Sequence, residues 1–450
     1  MDSDICPVYL LPNTVCFETC ENRIFFQKDA YHYIKLLRQE HGQIGCRLDP
    51  SLKKSIERKA KLITPLRGKP FYAEEVLTSY DIKLRERMTC NANIHAPPKI
   101  ILSWNAGHSQ ANLGGCPDWN CKLSNDHTEL AKADAILLAA PDHINRSRDP
   151  YFVYFSQESP KNARPDVLDS AYFNMSLGFR HDSPSSSPYG YTVKLSEESR
   201  PAGEYYNQVM NVTRVVGKTK GAAWFVSHCD TNSKREKYVN LLKTHFPVDV
   251  YGVCGNMNCV RGGACENMLD DEYHFYIAFE NSICKDYITE KLWHQGYGRD
   301  VIPIVLKRAV VEHVVPPNSF IAADDFSTTR DLAAHLHYLM RNKTAYICEL
   351  INTNDINCKD AVQATPEISV ITTAILKPDD RQHLFFLHLR DKTTGKEDFD
   401  LEREDFKQYW DESCEDDGEL VDRIILNEMT NLTSGSSVKL AGKLSNTKLI

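Results

Sequence analysis

From Pro98 to about residue 350, short apolar runs alternate with amphipathic stretches, and this alternation limits the possible folds more than any other feature of the sequence. Runs such as Tyr151–Ser156 and 301–306 consist largely of β-branched and aromatic residues, which is typical of strands buried on both faces. Such strands occur in parallel sheets that helices cover on both sides. The sequence therefore predicts an α/β fold with mostly parallel sheets.

The alternation falls into two halves, separated by a Ser-, Pro- and Gly-rich segment at 183–191 that predicts a loop. Each half is expected to be a doubly wound domain, and two such domains joined by a loop place a ligand cleft between them, at the carboxyl ends of their strands. The predicted units are a stem or peripheral segment at 1–97, α/β domains at 98–200 and 201–350, and a divergent tail at 351–450. The predicted strands lie at 100–104, 135–140, 151–156, 224–227, 248–253, 275–279, 301–306 and 319–322, and the predicted helices at 129–133, 233–246, 286–297 (with Asp286 as its N-cap) and 329–341.

The two ends of the chain differ from the middle. Residues 52–88 are charged and predict a helix. The whole net charge of −8 lies in residues 351–450, where Asp and Glu concentrate at 402–419. An acidic block of this kind is typical of a solvated or disordered tail, so we expect no packed structure there.

Composition excludes several classes of protein. Of the 450 residues, 42% are hydrophobic and 25% are charged, as in ordinary soluble domains, which argues against a disordered chain or a collagen-like fibre. The net charge of −8 argues against a nucleic-acid partner. No apolar run approaches the roughly 18 residues of a membrane helix, and the first residues lack the apolar core of a signal peptide, so we predict no membrane span in this chain.

The 15 cysteines allow two interpretations. They are either scattered reduced thiols or a partial disulfide framework in an oxidising compartment. No pair has the Cys-x-x-Cys spacing of a zinc ribbon or a redox site, and the cluster of Cys254, Cys259 and Cys265 favours disulfides. The odd number leaves at least one thiol unpaired.

Common catalytic motifs are missing from the sequence. It has no G-x-G-x-x-G, no P-loop, no G-x-S-x-G and no H-E-x-x-H. An Asp-x-Asp pair, which holds a divalent ion on the diphosphate in many sugar-nucleotide enzymes, occurs only at Asp2 and Asp4 and at Asp398 and Asp400, outside the α/β region. Any nucleotide chemistry is therefore expected to need no metal cofactor.

Residues 275–291, FYIAFENSICKDYITEK, carry the functional argument. A predicted strand runs into a polar loop and then into a predicted helix that holds Glu290 and Lys291 in its first turns. A helix N-terminus attracts anions, and a lysine beside it suits a diphosphate. The alternative is a helix start with an exposed Glu-Lys pair, and this segment alone leaves both possibilities open.

The same segment resembles the α-1,3-fucosyltransferases, whose signature is close to F-Y-x-x-F-E-N-S followed by D-Y-[IV]-T-E-K. Four further segments match in the same order as in the family: Pro98-Lys99-Ile100-Ile101-Leu102, Glu158-Ser159-Pro160, Trp224-Phe225-Val226-Ser227 and Val248-Asp249-Val250-Tyr251-Gly252. The resemblance covers about residues 98–347. It implies two Rossmann-like domains facing a cleft (the GT-B arrangement), with the acceptor mainly on the first domain and GDP-fucose on the second. It also implies inverting, metal-independent transfer of L-fucose from GDP-β-L-fucose in α-1,3 linkage to a GlcNAc of a glycoprotein N-glycan, in the Golgi lumen.

The resemblance also assigns site residues. Glu158 corresponds to the catalytic base, Lys291 to a phosphate-binding lysine, and Glu290 to a residue that contacts fucose. Arg235 opens a predicted helix, where a guanidinium can hold the diphosphate. The remaining donor-site assignments are Ser227, Asn281, Tyr287 and Glu280, of which Glu280 is expected to act by positioning its neighbours.

Some positions depart from the family pattern. His228 stands where an Asn is usual, and His127 replaces a cation. The family ends with aromatic residues and a Cys-x-x-Cys, and we expect neither feature in residues 351–450, so this tail is taken as divergent. These departures support an alternative, a non-catalytic relative that binds GDP-sugar or glycan, and a third possibility is a glycosyltransferase with another donor.

Overall fold

The computed structural model describes residues 406–444 and residues 96–350, the latter except 109–120, 143, 145–149, 164–171, 184, 191, 196–211 and 317. It also describes five strands before residue 96. For these strands and for residues 432–444 it describes the backbone alone. Those five strands are β1 (Val8–Leu10), β2 (Thr14–Glu18), β3 (Arg23–Phe25), β4 (Leu62–Leu66) and β5 (Lys69–Val76).

The prediction of a helix over 52–88 is wrong at Leu62–Leu66 and Lys69–Val76, which form strands β4 and β5. These strands pair antiparallel, with Leu66 opposite Lys69. Pro65 and Pro70 face each other in the pair, and each lacks the N–H that a helix interior needs. Charge alone was therefore a poor guide to the structure of this segment.

A six-stranded parallel sheet forms the first α/β domain, in the order β11-β10-β9-β8-β6-β7. All four residues of β8 are buried, so both faces of this sheet are covered. A short strand β12 (Val193–Leu195) then pairs antiparallel with β5. The six strands are β6 (Lys99–Ser103), β7 (Cys121–Ser124), β8 (Ala135–Leu138), β9 (Tyr151–Ser156), β10 (Met175–Gly178) and β11 (Ser185–Ser186).

A five-stranded parallel sheet forms the second α/β domain, in the order β14-β13-β15-β16-β17. Alternate residues of the central strand pack on opposite faces: Phe275 and Ile277 belong to one core cluster, and Tyr276 to the other. The strands are β13 (Lys220–Phe225), β14 (Val248–Tyr251), β15 (Tyr273–Ile277), β16 (Ile302–Val305) and β17 (Ile321–Ala322). The helices are α1 (Val212–Val216), α2 (Arg235–Leu242), α3 (Met268–Asp271), α4 (Arg308–Val311), α5 (Thr329–Arg341) and α6 (Lys343–Leu350).

The two parallel sheets confirm the predicted fold class of two doubly wound α/β domains. The predicted loop at 183–191 contains β11, and β7 and β10 were also missed. These strands are short, and β10 (Met-Ser-Leu-Gly) carries two small residues, which weakens its strand signal. In the part of the chain that the structure describes, no helix is both long enough and apolar enough to cross a membrane.

The acidic tail is the main correction. Residues 406–431 are packed, in helices α7 (Phe406–Asp411) and α8 (Glu419–Leu444). Phe406 and Trp410 are fully buried against the first domain. The prediction was wrong because it considered only the acidic residues at 402–419, whereas apolar residues recur there at helical spacing and are buried. Glu412 and Asp416 remain exposed.

Two further contacts fix this segment in place. The start of α8 packs Leu420, Val421 and Ile424 into the core of the second domain. A disulfide joins Cys284 of the second domain to Cys414. The C-terminal segment therefore packs against both α/β domains.

Candidate active site

A cleft of about 650 Å³ lies between the two α/β domains, outside the carboxyl ends of their strands. Parallel α/β sheets bind ligands at this edge. Of the predicted site residues, the lining contains Glu158 from the first domain and Ser227, Arg235, Asn281, Glu290 and Lys291 from the second. The structure thus brings six of the eight predicted residues together around one space.

Glu158 follows β9 and its side chain is exposed. Its backbone N–H donates to Ser156 Oγ at 3.1 Å, and the next residue, Ser159, is fully buried and donates to Ser282 Oγ of the second domain at 2.9 Å. The carboxylate accepts hydrogen bonds at Oε2 from Tyr287 at 3.3 Å and from Asn162 at 3.4 Å. These contacts hold an accessible carboxylate at the boundary between the domains.

Tyr287 does not line this cleft. It is 1% exposed and lies behind the lining, with its hydroxyl directed at Glu158. Burial, together with the nearby charges of Glu280 and Glu158, raises the pKa of Tyr287 far above its ordinary value. The phenol therefore stays protonated and donates, while its predicted donor contact stays a prediction.

Arg235 is the first residue of α2 and is 3% exposed. Its Nη1 donates to the carbonyl of Phe279 at 2.6 Å and its Nη2 to that of His228 at 3.3 Å. Burial lowers the pKa of Arg235, but a guanidinium remains charged at neutral pH. The site therefore holds one buried, rigidly oriented positive charge.

Several buried polar atoms of the lining residues have no hydrogen-bond partner among the described residues. They are Nε of Arg235, Oδ1 of Asn281 and Oε1 of Gln295. Most buried polar atoms in proteins are paired, so such a group at a cleft indicates a place where a ligand completes the bonding.

Glu280 holds Lys291 in position. Its Oε2 accepts from Lys291 Nζ at 2.8 Å, and its Oε1 accepts from the backbone N–H and hydroxyl of Thr289, both at 2.8 Å. Lys291 Nζ also donates to Thr289 Oγ1 at 2.7 Å. Glu280 thus contacts Thr289 and Lys291, and its carboxylate directs the ammonium of Lys291, while its role in the donor site stays a prediction.

Glu290 is ionised in this setting. Burial alone would raise its pKa, but the positive charges of Lys291 and Arg261 contribute to a net lowering. Lys291 Nζ lies 3.8 Å and Arg261 Nη2 lies 3.7 Å from the same oxygen, Oε1. The cleft therefore presents a carboxylate between two cations.

The helix predicted over 286–297 begins only at Lys291. Residues Lys291–Gly296 form a six-residue π-helix, a form that often occurs at functional sites. Asp286 has a positive φ of 62° and accepts from the backbone N–H of His181 at 2.9 Å, so its prediction as an N-cap is wrong. A diphosphate at this place would depend on side chains rather than on a long helix N-terminus.

Sequence analysis missed several polar residues of the lining, among them Arg261, Glu266 and Gln295. Arg261 lies in the cysteine-rich segment 254–265 and Glu266 follows it directly, so the spacing of the cysteines was the available signal. The disulfides Cys229–Cys254 and Cys259–Cys265 confirm the preferred interpretation of that cluster. Among the described residues, no group of three metal-binding side chains comes together, and the metal requirement stays a prediction.

Two family models match the chain. The model for the N-terminal part of fucosyltransferases matches residues 96–190, and the model for the C-terminal part of glycosyltransferase family 10 (fucosyltransferase) matches residues 215–359. The chain is 51% identical over 330 residues to the α-(1,3)-fucosyltransferase fut-1 of Caenorhabditis elegans, covering 73% of this chain and 75% of that protein. The chain belongs to the α-1,3-fucosyltransferase family. It is therefore a glycosyltransferase, as its sequence motif predicted.

Two further comparisons describe other proteins that the chain resembles. Glycoprotein 3-α-L-fucosyltransferase A of Drosophila melanogaster is 34% identical over 245 residues, covering 51% of this chain and 46% of that protein. A crystal structure of an α1,3-fucosyltransferase aligns with a TM-score of 0.42 and 18% identity, covering 71% of this chain and 95% of that one.

Proposed function

We propose that the protein transfers L-fucose from GDP-β-L-fucose in α-1,3 linkage to a GlcNAc of a glycoprotein N-glycan, with inversion at the anomeric carbon and without a metal cofactor. The observation that carries the proposal is the position of Glu158, across the cleft from Arg235, Glu290 and Lys291. Inverting transfer needs a base on one side of the sugar and positive charge around the leaving diphosphate on the other.

Glu158 is assigned as the general base. Its carboxylate takes the proton from the acceptor 3-hydroxyl while that oxygen bonds to the anomeric carbon. At the same time the bond from the anomeric carbon to the phosphate oxygen breaks, and GDP leaves with the electron pair. A β-linked donor thereby gives an α-linked product, and a base in this position contributes roughly 10²- to 10⁴-fold to the rate.

The second domain is assigned to the donor. Arg235 and Lys291 neutralise the diphosphate, Glu290 accepts hydrogen bonds from fucose hydroxyls, and Asn281 and Ser227 contact the nucleotide or the sugar. Two fixed cations supply the charge that a divalent metal provides in many other sugar-nucleotide enzymes.

The acceptor assignment rests on two resemblances. A relative is named a glycoprotein 3-α-L-fucosyltransferase, and the segment 254–265 resembles core-type enzymes that fucosylate the innermost GlcNAc. The alternative, a relative without catalysis, drew support from a divergent C-terminus. Because Trp410 and Cys414 pack that end onto the two domains, this support is lost.

The direct test is mass spectrometry of fucose transfer by protein made in a secretory host. GDP-fucose would be offered with an N-glycan core or with N-acetyllactosamine, in buffer containing a chelator. We expect a deoxyhexose gain on the N-glycan core, with an α-anomeric proton by NMR. Nucleotide binding without any gain would favour the non-catalytic alternative, and a gain from another GDP- or UDP-sugar in competition would point to a different donor.

We further propose that the protein works in the Golgi lumen. Disulfides persist in oxidising compartments, and three of them join described cysteines. Co-localisation of the tagged full-length protein with a Golgi marker tests this, and a cytosolic distribution would contradict it.

A further inference from the structure

A small ring at the edge of the cleft, closed by the Cys259–Cys265 disulfide, carries Arg261. Glu266, which is 2% exposed, fixes the ring: its Oε1 accepts from the backbone N–H of Gly262 at 2.8 Å, and its Oε2 from Arg299 at 3.1 Å. Gly262 has a φ of +74°, which only glycine adopts readily. The ring is therefore held in one geometry, with Arg261 in the lining.

Arg261 and Lys291 converge on one carboxylate oxygen. Both cationic groups lie within 3.8 Å of Oε1 of Glu290. An oxygen that bears negative charge between two cations occupies the setting that a phosphate oxygen requires. The Arg261 side chain is 76% exposed, so its pairing with Glu290 is weak and easily exchanged for another anion.

The charge of the lining also points to Arg261. The cleft is lined by three cationic side chains (Arg235, Arg261 and Lys291) and by three carboxylates (Glu158, Glu266 and Glu290), so it is close to neutral. Removing Arg261 would make the charge of the lining more negative and therefore less favourable to a diphosphate.

The other two cations are held in place by protein contacts. Both terminal nitrogens of Arg235 donate to backbone carbonyls, and the ammonium of Lys291 donates to Glu280 and Thr289. Arg261 is the guanidinium of the lining that can turn toward a ligand at least cost.

We infer that Arg261 binds the diphosphate of the donor nucleotide, exchanging Glu290 for phosphate oxygens, and that the Cys259–Cys265 ring positions it. The inference rests on the proposed function and adds a third cation to the donor site. When Arg261 moves to the phosphates, the carboxylate of Glu290 becomes available to fucose hydroxyls. Donor binding and sugar orientation would then be coupled through one side chain.

Calorimetry with the full chain tests the inference, with GDP and guanosine as the two probes. Arg261→Ala should weaken GDP binding by about tenfold to a hundredfold, the range of a lost charge-assisted hydrogen bond, and should leave guanosine binding unchanged. Arg261→Lys should recover part of the loss. Arg330→Ala, which removes an exposed guanidinium on α5, is the matched control and should stay within about twofold of the unmodified protein.

The ring is tested by the double variant Cys259→Ser/Cys265→Ser. It should reproduce the weaker GDP binding, and adding Arg261→Ala to it should weaken binding no further, because both changes remove one interaction. Unchanged GDP affinity in Arg261→Ala, or an equal loss for GDP and guanosine, would overturn the inference. Failure of the unmodified protein to bind GDP would instead overturn the proposed function.

Discussion

The hydroxyl of Tyr287, from the second domain, donates a hydrogen bond to the carboxylate of Glu158, from the first, across 3.3 Å. Tyr287 is almost completely buried, so its hydroxyl has little freedom to move. The proposed base is therefore oriented by the domain opposite to its own. This arrangement makes the geometry of the reaction depend on how the two domains are packed.

Replacing Tyr287 with Phe should slow transfer without weakening donor binding. The variant removes one hydrogen bond to a charged group, which corresponds to a fall of roughly 10-fold to 100-fold in kcat if the bond orients Glu158 in the transition state. Steady-state kinetics would give kcat and the KM for GDP-fucose separately.

Tyr297→Phe is the matched control, because it removes a half-buried tyrosine hydrogen bond, with Ser319 at 2.7 Å, outside the lining of the cleft. It should leave kcat unchanged. If Tyr287→Phe raised the KM for GDP-fucose and left kcat intact, Tyr287 would be a donor-binding residue, as the sequence suggested.

Trp410→Ala should destabilise the protein strongly. Trp410 is fully buried among Tyr154, Phe179 and Phe406, and its indole N–H donates to the carbonyl of Ala163 at 3.0 Å. Loss of such a side chain costs about 3–5 kcal/mol in the free energy of unfolding. Denaturant titration would measure it.

The comparison for Trp410→Ala is Leu426→Ala on α8, where the side chain is 63% exposed. We expect a change within about 0.5 kcal/mol there. Equal stability of the two variants would show that the C-terminal segment is not part of the folded core.

The ion pairs of Asp182 should make the free energy of unfolding decrease as the pH falls into the acidic range. Burial raises the pKa of Asp182, but Arg180 at 2.6 Å and Lys285 at 3.0 Å lower it more, to about 2. A carboxylate whose folded pKa is depressed stabilises the fold above its unfolded pKa, about 3.9, and this stability is lost as the pH falls toward about 2.

The measurement is the free energy of unfolding of the unmodified protein and of Asp182→Asn at several pH values. The difference should be about 2 kcal/mol at pH near 6 and should shrink as the pH falls from about 4 toward about 2. Asp416→Asn, which changes an exposed carboxylate, should show no such trend. A difference between the proteins that stayed constant over this range would refute the assignment.

Much of the second domain could be predicted from the sequence. The runs at 275–279 and 301–306 are long, apolar and β-branched or aromatic, and they lie in or next to β15 and β16. The helix at Thr329–Arg341 was predicted with its bounds, because Thr328 caps it by accepting from the N–H of Asp331 and its apolar residues recur at helical spacing. Such elements can be predicted because their local sequence patterns indicate them without knowledge of contacts to distant residues.

The rest depended on tertiary contacts that no local pattern contains. Asp286 resembles an N-cap, but it bonds His181 from the other domain and the helix starts later. Trp410 lies in an acidic stretch, and only its partners on the first domain show that it is core. The same applies to Arg261, whose role in the lining follows from a disulfide-closed ring and not from a motif.

The most direct test of the central claim is the rate of fucose transfer by Glu158→Gln, measured beside its affinity for GDP. Glutamine keeps the shape and can still accept the hydrogen bond of Tyr287, but it cannot take the acceptor proton. We predict a loss of roughly 10²-fold or more in kcat with GDP affinity unchanged, whereas Glu312→Gln, at an exposed carboxylate, retains full activity. Transfer by Glu158→Gln at the rate of the unmodified protein would contradict the account.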